Sequence, residues 1–143
     1  MSNYKGAWVL WTVMIIVATT LPWSGFSAHV DQRRLYWMLW LPFYGSEWSK
    51  RWAADLVVNI VLFIPFSYLY LRSQVLHRTQ NIVGIILAAA LLSGILEWGQ
   101  VFNTRRFPSM TDVANNVIGA LLGVGIFLLW RAKRSPATPP PLS

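Results

Sequence analysis

The 143-residue chain contains no cysteine and only five acidic residues. Without thiols there is no disulfide framework, no thiolate metal site and no cysteine nucleophile. Histidine is almost as scarce. His29 and His77 are the only two, and neither has a metal-ligand partner at useful spacing, so no metal and no cofactor are expected. No zinc motif, phosphate-cradling glycine loop or serine elbow occurs. Charged residues make up 12% of the chain, against about 25% in a typical soluble domain. That shortfall argues against water as the surrounding solvent.

What is present is hydrophobic. Apolar residues account for 55% of the chain, and they fall into long blocks rather than scattering. The net charge of +7 does not read as nucleic-acid binding, because the basic residues sit in short clusters at the ends of apolar blocks and form no basic face. Length allows one domain. A spanning helix needs roughly 20 mostly apolar residues, and four segments approach that: 7–21, 53–71, 82–102 and 113–130. Lipid cannot satisfy free backbone groups, so each is read as a helix. The expectation is an all-α integral membrane protein, a four-helix transmembrane bundle over residues 1–130. Trp8, Trp11, Trp23, Trp52, Trp98 and Trp130 lie near block ends, as an interfacial aromatic belt requires.

The first block is read as a span rather than a cleaved signal peptide, since Phe26-Ser27-Ala28 has a bulky residue at the outer cleavage position. Between the first two spans, "LYWMLWLPFY" (35–44) is apolar but too short to cross, and is read as an interfacial segment. Residues 131–143, "RAKRSPATPPPLS", are basic and then proline-rich, and are expected to form a disordered tail.

Four spans put both termini on one side. Lys5, Arg72, Arg78, Arg131, Lys133 and Arg134 would share that side, and Arg33, Arg34, Lys50, Arg51, Arg105 and Arg106 the other. The counts tie. The first side carries no acid, and Arg105 and Arg106 are candidates for a site, so both termini are placed in the cytoplasm.

The polar residues then converge. Asp55 and Asn59 begin the second span, Asp112 and Asn116 begin the fourth, Glu97 and Gln100 end the third, and Arg105 and Arg106 follow in the connecting loop. All belong to the same membrane face. The two Asp-x-x-x-Asn pairs are i, i+4, and Glu97-x-x-Gln100 is i, i+3, so each pair shares a helix face. A carboxylate at that depth needs an arginine, an amide donor or water rather than lipid. "DLVVNIVLF" and "DVANNVIGA" also echo each other, which hints at two hairpins related by a parallel pseudo-twofold. More ordinary readings stand beside these. Asp112 and Asp55 suit helix N-caps, and Asn59 and Asn116 suit bridges between helices. Gly119 and Gly123 suit close helix packing within the monomer. Pro65 would kink or loosen its span.

The ordered series Asp55…Asn59…Phe63-Ile64-Pro65, Glu97-x-x-Gln100, Arg106, Asp112-x-x-x-Asn116-x-x-Gly119-x-x-x-Gly123 resembles the VanZ-like family of small membrane proteins. The resemblance extends over all four spans. It implies a multi-pass protein of the bacterial cytoplasmic membrane and cell envelope, whose founding member is associated with reduced teicoplanin susceptibility. Carried over residue by residue, the family's polar signature falls on Asn59, Glu97, Gln100, Arg106, Asp112 and Asn116, with Pro65 and the two glycines. The chain departs from the pattern at Ser67, where glycine is common, and at Ser109, where an acid is common.

Three functions compete at this level. The favoured one is a non-enzymatic envelope protein whose polar face binds a lipid headgroup, a lipid-linked or cell-wall intermediate, or a glycopeptide antibiotic. Arg105 and Arg106 would pair with phosphate or carboxylate. The second is an intramembrane enzyme in which Glu97, Asp112 and Asp55 supply acid/base groups or ligands for a hard cation. The third is a structural subunit whose polar network only fixes helix packing.

Overall fold

The computed structural model describes residues 3–21, 23–27, 50–76, 79–105 and 108–134, without the side chains of 50–52. The described residues are helical apart from turns, one short 3-10 turn and a single bridge. Helix α1 is Asn3–Thr20, followed by a 3-10 turn at Trp23–Gly25; α2 is Lys50–Ser73, α3 Thr79–Gln100 and α4 Met110–Arg134. Three helical stretches are long and apolar enough to cross a membrane: Ala53–Ser73, Thr79–Gln100 and Met110–Arg134. Helix α1 has 18 residues but starts with Asn3, Tyr4 and Lys5. These polar residues dilute the apolar run that begins at Ala7, and α1 is not among the three.

The core is made by residues that alternate every third or fourth position. Phe63 and Phe66 of α2, Ile85 and Ala89 of α3, and Ala120, Val124 and Phe127 of α4 close around Ile15 of α1. Outside that core the helices remain greasy: Leu10, Val57, Leu87, Leu91, Leu121 and Leu129 are all exposed. So wide an apolar exterior would be untenable in water. It is the surface of a protein whose solvent is lipid.

Helices α2 and α4 form the most extensive interface. A Cβ on Gly119 would collide with the Ile60 carbonyl, and one turn on, a Cβ on Gly123 would collide with the Ile64 carbonyl and Ser67 Oγ. Both contacts advance together, so α2 and α4 run parallel. Ser67 is fully buried and donates to the Ala120 carbonyl at 2.7 Å. The hydroxyl fills the space that the missing Cβ of Gly123 leaves.

Pro65 leaves α2 helical from end to end. Lacking an N–H, it deprives the Val61 carbonyl of its i+4 donor, and the next carbonyl, Leu62 O, accepts a hydrogen bond from Trp11 Nε1 at 2.8 Å. Trp11 thus pins α1 to α2 at the proline turn. Trp8 is also turned inward, with its ring 5.8 Å from Phe66 and 5.4 Å from Tyr70. Both rings pack into the groove between α1 and α2. Trp23 and Trp98, in contrast, are exposed near helix ends.

Helix α4 continues four residues past the expected end of its span. Arg131, Lys133 and Arg134 make its last turn, where cations complement the negative end of the helix dipole. The interfacial segment 35–44, the rest of the tail, Arg106 and both histidines lie outside the described residues.

Candidate functional site

Two short loops meet at one end of the bundle. Phe26 and Asn103 form an antiparallel bridge, with Ser27 N donating to Phe102 O at 2.8 Å and Thr104 N to Gly25 O at 2.7 Å. The approach is close enough that a Cβ on Gly25 would strike Asn103 Oδ1. That oxygen also accepts the Arg105 amide at 2.9 Å, the local turn that asparagine side chains favour. The ends of α1 and α3 are therefore laced together by main chain.

Beneath the loops lies a cavity of about 490 Å³. Helix α2 contributes Asp55, Val58, Asn59 and Leu62 to its wall, and α3 contributes Leu96, Glu97 and Gln100. Asp112 and Asn116 come from α4, Arg105 from the α3–α4 loop, and Ala18 and Thr19 from α1. Asp55, Asn59, Glu97, Gln100, Arg105, Asp112 and Asn116 thus meet in one place. The parallel course of α2 and α4 explains it, since two Asp-x-x-x-Asn pairs at the starts of parallel neighbours reach the same depth.

Glu97 is held on both oxygens. Only 3% of it is exposed. Oε1 accepts from Gln100 Nε2 at 3.2 Å and Oε2 from the Ser109 amide at 2.7 Å. Ser109 is the N-cap of α4, because its carbonyl takes the first intrahelical bond, from Val113 N at 3.4 Å. The carboxylate at the end of α3 therefore rests on the positive end of α4. The N-cap role expected of Asp112 belongs to Ser109, and Asp112 sits in the first turn. In a capping box the acid three residues on would reach back to the N-cap amide; here Glu97 occupies it. Asp55 is no cap either, since α2 begins five residues earlier at Lys50.

One turn deeper, Asn116 Nδ2 donates to Ser93 Oγ at 2.7 Å, while its Oδ1 is buried without a partner. The neighbouring Asn115 is 2% exposed and its Nδ2 is also unpartnered; nothing in the structure explains that. Ser93, Asn103 and Thr19 belong to the site's surroundings without having been expected there. A serine inside an apolar run and a threonine at a helix end carry too little signal alone. Among the described residues, no three of His, Cys, Asp and Glu stand close enough to share a metal ion.

The opposite end of the bundle has its own polar cluster. Arg72 donates to Tyr68 Oη at 2.9 Å and Tyr4 Oη at 2.6 Å. Its guanidinium lies 3.8 Å from the Trp130 ring centroid, and Arg134 approaches the same ring at 4.8 Å. Guanidinium–ring attraction holds α1, α2 and α4 together there.

Neither the curated proteins nor the solved structures include a match to this chain. A family model does match, over residues 7–131, from α1 to the last turn of α4 and across every residue of the cavity. The chain belongs to the VanZ/LLP1 family of proteins.

Proposed function

We propose that this membrane protein is a non-enzymatic binding protein of the bacterial cell envelope. Its cavity would open at the outer face of the cytoplasmic membrane and hold the polar headgroup of a lipid or lipid-linked envelope molecule. The supporting observation is the cavity itself: about 490 Å³, walled by all four helices and lined by three carboxylates, three amides and Arg105. Polar groups gathered this way at the end of an apolar bundle are costly without a function or a ligand. An acid/base role for Glu97 is less well supported, because the protein itself engages both carboxylate oxygens. Arg105, exposed at the rim, offers a guanidinium fork to phosphate or carboxylate.

The test is to fill the cavity. Val58 lines it and is 54% exposed, so Val58→Trp adds bulk without entering the core. Protein isolated with its surrounding lipid should carry an enriched headgroup class that Val58→Trp loses. A deletion strain should show an altered profile of lipids and wall precursors, and altered teicoplanin susceptibility if the family's namesake property extends here. An unenriched lipid shell, unchanged by Val58→Trp, would overturn the reading.

A further inference from the structure

The walls of the cavity differ in how far the protein satisfies its own polar groups. On α3, Glu97 is tied to Gln100 and Ser109, and that wall is part of the fold. On α2, Asp55 and Asn59 lie one turn apart on the cavity face, and neither side chain bonds to another described residue. On α4, Asn116 is 4% exposed, spends its Nδ2 on Ser93, and leaves Oδ1 buried without a partner. Buried oxygens of this kind are nearly always paired in native structures. What is missing is a donor.

The unpartnered set holds a carboxylate from Asp55, the orphaned Asn116 Oδ1 and the Asn59 amide, whose oxygen accepts and whose NH2 donates. The oxygens of Asp55, Asn59 and Asn116 call for positive charge and several N–H donors, which describes a primary ammonium, and the Asn59 NH2 is left for an acceptor such as a phosphodiester. A bundle embedded in lipid meets such a group at high local concentration in phospholipid headgroups, where an ammonium stands a few bonds from a phosphodiester. Arg105 at the rim is placed to take that phosphate. We infer that Asp55, Asn59 and Asn116 form a primary-ammonium subsite for an amine-bearing phospholipid headgroup. This deepens the cavity reading above and rests on it.

The full chain in nanodiscs of phosphatidylglycerol, doped with one headgroup at a time, tests the inference by native mass spectrometry of retained lipid. Phosphatidylethanolamine should be retained about tenfold over phosphatidylcholine, whose quaternary nitrogen has no N–H to give. Asp55→Asn should abolish that preference. Asp55 is exposed and its side chain bonds to no other described residue, and helicity by circular dichroism checks that the variant is intact. Equal retention of both lipids, each still displaced by Val58→Trp, would overturn the ammonium subsite and leave the cavity reading standing. Retention indifferent to both substitutions would overturn both. Free phosphoethanolamine that competes as well as the lipid would keep the subsite but overturn a membrane-anchored source.

Discussion

Each oxygen of Glu97 accepts a hydrogen bond from the protein, and that detail changes what a substitution there would mean. Glutamine keeps the shape, and its NH2 can face Gln100, whose amide turns over to present Oε1, while the remaining oxygen still accepts from the Ser109 amide. What is lost is the negative charge. Glu97→Gln should therefore destabilise the bundle by about 1 kcal/mol, the difference between charged and neutral acceptors, read as a lower unfolding midpoint in mixed micelles. An unchanged midpoint would show that the charge contributes little. A loss of function in this variant reports stability first, so Asp55 is the cleaner probe of binding. The residue scale also shows what was hard to read in advance. Thr111 and Asp112 precede an apolar run and so look like caps. The helix begins earlier because acids are welcome in a first turn, and an acid inside that turn resembles one just outside it. Arg72 was legible only as a loop charge, since two of its three rings, Tyr4 and Trp130, come from distant segments.

Helices are a different matter, because length and hydropathy carry them plainly. The spans at 53–71, 82–102 and 113–130 correspond to α2, α3 and α4 with ends displaced by a few residues, as fraying and capping dictate. Gly119 and Gly123 were readable as a close-packing face, and the structure identifies their neighbour as α2. Substitutions should separate them from the other glycines. Gly119→Ala or Gly123→Ala drives a methyl into a carbonyl and should cost about 1–3 kcal/mol. Gly94→Ala and Gly125→Ala meet nothing within 4 Å and should leave the thermal midpoint unchanged or slightly raised. Equal effects at all four positions would show that the α2–α4 contact is looser than described. The inward turn of Trp8 and Trp11 was not legible, because a tryptophan near a span end fits either a belt or a groove. Only the partner helix decides.

For the molecule as a whole, the sequence showed where polar side chains gather, but not which way the bundle faces. The native chain has no cysteine, so single-cysteine variants need no prior removal. Val75, in the α2–α3 turn, is 92% exposed; Trp23, at the end that carries the cavity, is 63% exposed. With cytoplasmic termini, Trp23→Cys should react with an impermeant maleimide in intact spheroplasts, and Val75→Cys only after permeabilisation. The reverse pattern would invert the orientation. Reaction of both from one side would contradict a bundle that crosses the membrane.

The pinned guanidinium of Arg72 has a consequence for the bilayer itself. Held by Tyr4, Tyr68 and Trp130, it marks a polar boundary at that end of α2. Asp55 lies seventeen residues back along α2, about 25 Å at the usual helical rise, whereas a typical hydrocarbon layer is about 30 Å thick. Local thinning of the bilayer is one way to meet a mismatch of roughly 5 Å. Lipids beside α2 would then dip toward Asp55, which would bring their headgroups down to the depth of the cavity proposed to bind them.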